Sequence, residues 1–368
     1  MNLTMSPRIR HSPFYDATVR DGVTHFTVYN KMLLPLSFGD LEAEYDMLMN
    51  GVALWDVAAE RQVQVSGPDA HSLAQYLSAR DLTKMKEGQG KYVAMCDHDG
   101  RLLNDPVLLK LSGDRYWFSL ADHDMLLWCK AVAAEGGFDV EVVEPDVSPL
   151  GVQGPLAEDV VADLFGDWVR DVKFFWFRET HLDDIPLVLC RSGWSKQGGF
   201  ELFLQDGSRG IELYDRVMEA GAPYGIGPGA PNHVERVEGG LLSFGGDNTP
   251  DSNPFEAGMG RYVDVDLEPE YIGKAALQRV AAEGPERLFT GLMLEGAAPS
   301  AWPLEATVPV TFGGDQVGTM SAIVHSPRLG RTIALAQIRR DLVETGATVE
   351  VMSPNGVLHA EVRSLPFI

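Results

Sequence analysis

Hydrophobic and polar positions change their period several times along the chain, and each change predicts an element. Apolar residues at helical spacing in Asp40–Asn50, followed by Gly51, predict a helix closed by a glycine just past its last turn. Arg61-Gln-Val-Gln-Val65 alternates with period two and predicts a strand; Gly67-Pro68 then opens an amphipathic Ala70–Leu77 helix. The apolar runs Tyr92–Met95 and Leu102–Leu109 flank Asp97-His-Asp-Gly100, a hairpin signal. A strand over Tyr116–Leu120, a helix over Asp122–Val132 and a strand over Phe138–Val143 complete a β-α-β-β-α-β order, the ferredoxin-like unit.

A second unit of the same kind follows. Strands are expected at Ser148–Gln153 and Lys173–Phe177 around a Pro155–Phe165 helix, then at Leu187–Cys190 and Phe200–Leu204, with a last helix over Arg209–Ala220. Beyond residue 286 the pattern becomes short strands punctuated by Gly and Pro: Leu288–Leu294, Val308–Thr311, Val317–Ser321, Ile333–Gln337 and Thr348–Val351. That rhythm predicts a small antiparallel barrel, with Ala281–Glu286 as the linker before it. The fold class is therefore α+β.

Composition narrows the function classes. The chain has 368 residues, 45% apolar and 23% charged, and a formal net charge of −23. An acidic surface of that size argues against a nucleic-acid duplex or an anionic membrane as partner. Cys96, Cys129 and Cys190 lack metal-ligand or redox spacing, and His98, His123, His233 and His325 form no recognisable metal set. The N-terminal Met-Asn-Leu-Thr-Met-Ser-Pro-Arg carries no apolar secretory core, so a cytoplasmic location is expected. Gly227-Pro-Gly-Ala-Pro231 lacks the lysine of a phosphate-binding loop, and no spacing matches the dinucleotide fingerprint.

The chemistry concentrates in two segments. Arg191-Ser-Gly-Trp-Ser-Lys-Gln-Gly-Gly-Phe-Glu201 puts three glycines and a carboxylate beside the apolar run Phe200–Leu204. A carboxylate in a half-buried strand needs donors, because burying it alone is costly; the plainer alternative is a Gly-rich hairpin with an outward glutamate. Some forty residues on, Arg236-Val-Glu238-Gly leads through Gly245-Gly-Asp247 to Asn253-Pro-Phe-Glu256-Ala-Gly258.

Together these segments resemble the signature of the aminomethyltransferases, the glycine-cleavage T-proteins that bind tetrahydrofolate. Leu54-Trp-Asp-Val57, Gln153-Gly-Pro155, Tyr271-Ile-Gly-Lys274 and Ser326-Pro-Arg-Leu-Gly330 extend the likeness over nearly the whole chain. Tyr29-Asn-Lys-Met-Leu-Leu-Pro35, Glu60-Arg-Gln62, Arg80-Asp-Leu82 and Asn104-Asp-Pro-Val107 look like the branch of dimethylsulfoniopropionate demethylases. The resemblance implies two ferredoxin-like folate-binding domains and a C-terminal β-barrel in a cloverleaf arrangement. The corresponding divisions are 1–50 with 144–240, 51–143 with 241–285, and 286–368. It also implies tetrahydrofolate and a small methyl donor as ligands of a monomer or homodimer.

Residue roles follow from the same likeness. Glu201 matches the family's pterin-binding glutamate and Arg236 its folate-contacting arginine; by itself, Arg236 also reads as a helix-surface residue paired with Glu235 or Glu238. Tyr29, Trp176 and Trp194 are candidate aromatic walls for the pterin and for a sulfonium, Lys31 for the donor carboxylate, and Ser195 for a further substrate contact. The aminomethyltransferases carry an aspartate pair where this chain has Asn104-Asp105. A carboxylate helps to manage protons when an amine leaves; sulfonium demethylation expels a neutral thioether and needs none. Asn104, Asp105 and Tyr29 are thus the expected catalytic residues. Trp194 and Phe203 stand where tyrosines are usual. Demethylation of another donor, a betaine-like amine or a methoxy-aromatic, stays open, as does a non-catalytic folate-binding regulator.

Overall fold

The chain is described here from a computed structural model covering residues 5–296, 306–353 and 356–368. Met1–Thr4, part of the N-terminal stretch read above for a secretory core, lie outside them. Two units emerge from the contacts: one of residues up to Ala74, Leu82–Tyr92 and Pro106–Asn232, the other of Gln75–Asp81, Val93–Asp105 and His233–Ile368.

Among the described residues the first unit holds two large antiparallel-based sheets and the two-stranded hairpin His25–Tyr29 with Met32–Ser37. Its five-stranded sheet runs Glu141–Val143, Gln62–Ser66, Arg115–Ser119, Val107–Ser112, Gln89–Tyr92. Apart from the added edge strand Gln89–Tyr92, this is the ferredoxin-like order 4-1-3-2. The six-stranded sheet runs Phe177–Leu182, Ile185–Cys190, Gly199–Leu204, Ser148–Gln153, Ala53–Asp56, Gly227–Gly229. Here an early segment has been inserted: Ala53–Asp56 pairs antiparallel with Ser148–Gln153 and parallel with Gly227–Gly229. All four of its residues are buried, so no alternation betrays it in the sequence.

Helices Ala157–Phe165 and Gly210–Gly221 cover the six-stranded sheet, and their apolar stripes meet Leu150, Val152, Leu202 and Leu204 in one core. A second cluster joins Leu109, Leu111 and Trp117 to Val188, Cys190 and Phe203, with the Trp117 and Phe203 rings 6.4 Å apart. Helix Leu41–Asn50 is capped by Asp40, whose carboxylate accepts from Ala43 N at 3.0 Å.

In the second unit, strands Arg287–Leu294, Val308–Phe312, Asp315–Ser326, Arg331–Arg339, Thr348–Ser353 and Gly356–Arg363 close into a barrel. Closure pairs every strand on both sides and leaves no edge. The last strand was not expected from the sequence.

Several expected boundaries are corrected. Lys173–Phe177 is not a strand: Phe175 takes φ +59°, which breaks extended backbone, and the strand begins only at Phe177. The helix expected over Asp122–Val132 runs Leu126–Glu135, because Asp124 accepts from Leu126 N and serves as its entry turn. The strand expected over Phe138–Val143 narrows to Glu141–Val143. Ala281–Glu283 belongs to helix Lys274–Glu283 rather than to a linker, with Gly284 at φ +82° ending it. No helix among the described residues is long and apolar enough to cross a membrane.

Candidate functional site

The glycine-rich segment forms the loop entering strand Gly199–Leu204, whose register sets Glu201 opposite Gly151 on one side and Cys190 on the other. Residues directly opposite share a face of the sheet, so the carboxylate is flanked by one absent and one small side chain. Glu201 is 8% exposed. Ser192 Oγ donates to its Oε2, and no described residue forms an ion pair with it. Burial raises its carboxyl pKa above the ordinary range, an effect the Ser192 hydrogen bond opposes. The neighbouring Cys190 thiol is raised too, first by burial and then by the nearby Glu201 charge, and is inert as a nucleophile.

Beneath this loop lies Gln153, 1% exposed. Its Nε2 donates to Ser192 O at 3.1 Å and to Phe200 O at 3.3 Å, while its Oε1 accepts from Ser195 Oγ at 3.0 Å. The loop passes so close that a Cβ on Gly193 or Gly199 would lie 2.1 and 2.6 Å from Nε2, which is why glycine stands at both. Ser195 and Glu201 therefore share one hydrogen-bonded cluster, and half-buried Trp194 lies between its members in the loop. The expectation named Ser195 and Glu201 but missed Ser192 and Gln153. For Gln153 the sequence signals were the Gln153-Gly-Pro155 motif of the family likeness and a polar residue ending the wholly buried strand Ser148–Gln153.

Trp176 adjoins the base of the loop, where its carbonyl accepts from Arg191 N at 3.0 Å. Arg191 is spent on scaffolding: Nη2 reaches Glu158 at 2.6 Å and Nη1 donates to the carbonyls of Arg170 and Val172.

Tyr29 and Lys31 belong to another part of the same unit, the hairpin of His25–Tyr29 and Met32–Ser37. Its two-residue turn has φ of 49° at Asn30 and 62° at Lys31, the positive values that primed hairpin turns require. Asn30 anchors it by donating from Nδ2 to Ala59 O and Ala121 O at 3.1 and 2.8 Å. Tyr29 packs, half-buried, against the core. Lys31 is 70% exposed on its side chain and pairs with Asp124 at 3.2 Å, beside a hollow of about 390 Å³ also lined by Asp122, His123 and Leu127. Asp124 also reaches Arg61 at 3.4 Å. A ligand carboxylate seeking Lys31 would compete with Asp124.

Asn104, Asp105 and Arg236 lie in the second unit. Asn104 ends strand Leu102–Asn104 opposite Met95 and is fully buried; Asp105 is 8% exposed. Arg236, on helix His233–Gly239, is not the surface residue of the alternative reading. It is 6% exposed and pairs with Asp247 at 2.8 Å. Asp247 also accepts from Ser243 N at 2.7 Å and Ser321 Oγ at 2.6 Å. Burial and the adjacent guanidinium push His233 down to about 3, so its imidazole is neutral, and Nδ1 accepts from Arg236 Nε at 3.3 Å. Glu238 accepts from Ser326 and Arg328.

Comparison with known proteins bears on the whole chain. Residues 14–267 match the family model of the GCVT N-terminal domain and residues 287–368 that of the glycine cleavage T-protein C-terminal barrel domain. The dimethylsulfoniopropionate demethylase DmdA of Ruegeria pomeroyi is 44% identical over 362 residues, 97% of each chain. An aminomethyltransferase of Corynebacterium aurimucosum is 30% identical over 367 residues, again 97% of each. The crystal structure of glycine cleavage system aminomethyltransferase T from Bartonella henselae superposes with a TM-score of 0.87 over 98% of both chains at 22% identity, a likeness of fold.

Proposed function

The chain belongs to the glycine-cleavage T-protein family, and from that membership we propose that it is a tetrahydrofolate-dependent methyltransferase acting on dimethylsulfoniopropionate. Its products are methylmercaptopropionate and 5-methyltetrahydrofolate. The observation that carries the folate reading is Glu201: a carboxylate 8% exposed, with one hydrogen-bond donor and no described cation, keeps acceptor capacity for an incoming ligand. The amide and amino edge of a pterin presents paired donors that suit it. The 44% identity to a demethylase supports the choice of donor.

When bound, tetrahydrofolate would supply a nucleophilic nitrogen as methyl acceptor, the donor sulfur leaving with the bonding pair and the displaced proton going to solvent. The protein's own task is alignment, an effect that can lower a barrier by about 7–11 kcal/mol. Glu201 would hold the pterin edge through its free acceptor positions. Tyr29, Trp176 and Trp194 offer aromatic faces to the sulfonium, an interaction of about 0.5–2 kcal/mol. Lys31 takes the donor carboxylate, exchanging its Asp124 partner for the ligand. Asn104, in the second unit, carries a neutral amide where the aminomethyltransferases have an aspartate suited to amine chemistry, and Asp105 follows it in sequence.

The test is direct. Purified protein given tetrahydrofolate and dimethylsulfoniopropionate should form 5-methyltetrahydrofolate in step with methylmercaptopropionate. No methylated folate at saturating donor would reject this substrate. A panel of betaine-like and methoxy-aromatic donors then separates a different demethylase from a folate binder without turnover.

A further inference from the structure

Gln153 is a buried amide with donors and acceptor all engaged, and its partners are the two ends of the glycine-rich loop. Ser192 O and Phe200 O flank that loop, so a single side chain ties both of its stems. A second tie runs beside it, from Gly154 N to Gly198 O at 3.0 Å. An apolar residue of similar size would leave two buried carbonyls without this donor, which is costly, and the half-buried Ser195 hydroxyl without this acceptor. The glycines at 193 and 199 complete the fit, since any Cβ there would strike the amide. The loop is thus moulded over Gln153. Ser192 links the two systems, because its carbonyl accepts from Gln153 while its hydroxyl donates to Glu201.

We infer that Gln153 is the positioning residue for the pterin-binding carboxylate, acting through Ser192, and that it sets tetrahydrofolate affinity without itself touching the ligand. The inference rests on the reading of Glu201 as the pterin-binding group. Removing the clamp frees Ser192 to rotate away, so Glu201 loses its orienting donor and the loop its shape. Lys31 and Tyr29, on the separate hairpin His25–Ser37, stand outside this chain of contacts, whereas Trp194 and Ser195 lie within the loop, so donor recognition depends on the clamp only in part.

The experiment compares Gln153→Leu, Gly193→Ala and Glu201→Ala with the parent protein. Tetrahydrofolate binding is read by calorimetry on samples whose near-ultraviolet circular dichroism and melting curve show folded protein, and the donor KM is read at saturating folate. Gln153→Leu is expected to weaken tetrahydrofolate about tenfold or more while the donor KM rises by a clearly smaller factor, because Lys31 and Tyr29 are left in place. Gly193→Ala retains the glutamine but drives a methyl group into it, and should give the same folate-selective loss, which keeps the idea testable if Gln153→Leu does not fold. The two changes combined should cost less than the product of their separate effects, because they break one contact. Folate affinity at the parent value in folded Gln153→Leu or Gly193→Ala, with Glu201→Ala impaired, overturns the role of Gln153 alone. Equal loss of folate and donor binding marks a merely structural residue and overturns it as well. Unchanged folate affinity in Glu201→Ala removes the pterin reading, and the inference with it.

Discussion

Replacing Glu201 by glutamine should move stability and ligand affinity in opposite directions. The shape is kept and only the charge is lost. In the free protein that charge is 8% exposed with one serine donor, and burial raises the carboxyl pKa. A raised folded pKa means that the native state holds a proton at pH values where the unfolded chain has released it. Stability from this group is then fullest below the ordinary carboxylate range, and it falls as pH climbs through the folded value. Glutamine removes that decline, so the variant should be the more stable protein at pH 8, with the advantage shrinking towards pH 4. Folate binding should respond the other way, losing charge-assisted hydrogen bonds of about 1.5–3 kcal/mol, or roughly 10- to 150-fold in Kd. Urea unfolding at pH 5 and 8, together with calorimetric titration of tetrahydrofolate, measures both. A variant that binds folate as tightly as the parent, or is less stable at pH 8, refutes the reasoning.

Asp56 gives a second buried carboxyl, 3% exposed and pushed up to about 6 mainly by burial, against which Ser12 Oγ donates at 2.5 Å. Asp56→Asn should add up to about 3 kcal/mol at pH 8 and nothing below about pH 4, as read by urea unfolding across that range. Arg236→Ala leaves Asp247 buried without its cation and should cost about 3–5 kcal/mol in the same assay; a loss under 1 kcal/mol would show that the serine donors suffice. Asn104→Asp buries a carboxylate at a fully enclosed position, so the melting temperature should fall and aminomethyl transfer should not appear. If that activity did emerge, this single position would be the specificity switch.

Legibility in the sequence followed the range of the forces involved. Ser148–Gln153 and Ala70–Leu77 were read to the residue because apolar period and local punctuation agree there. Gly227-Pro-Gly229 could not be read as a strand, since its residues disfavour extended pairing and only the parallel neighbour Ala53–Asp56 makes it one. Lys173–Phe177 misled for the opposite reason, its aromatic run suggesting a strand that the backbone at Phe175 forbids. Within the site, the burial of Glu201 was foreseeable from the apolar residues around it. The Asp247 partner of Arg236 was not, because it lies eleven positions away, outside the spacing at which helix neighbours pair. Gln153 was noticed only as part of the Gln153-Gly-Pro155 motif; its clamping role was not legible, because it depends on residues nearly forty positions downstream, brought against it by sheet register.

The insertion of Ala53–Asp56 between two much later strands has a consequence for how the protein must be made. Trp55 emerges from the ribosome long before Gly227–Gly229, and at about 5–20 residues per second the interval is on the order of ten to thirty seconds. Through that time a tetrapeptide destined for the interior has neither flank in place at first and only one later. Nascent chains stalled between Gln153 and Gly227 therefore expose an apolar ribbon with a free margin, a natural target for holdase chaperones and for pairing between neighbouring polysome products.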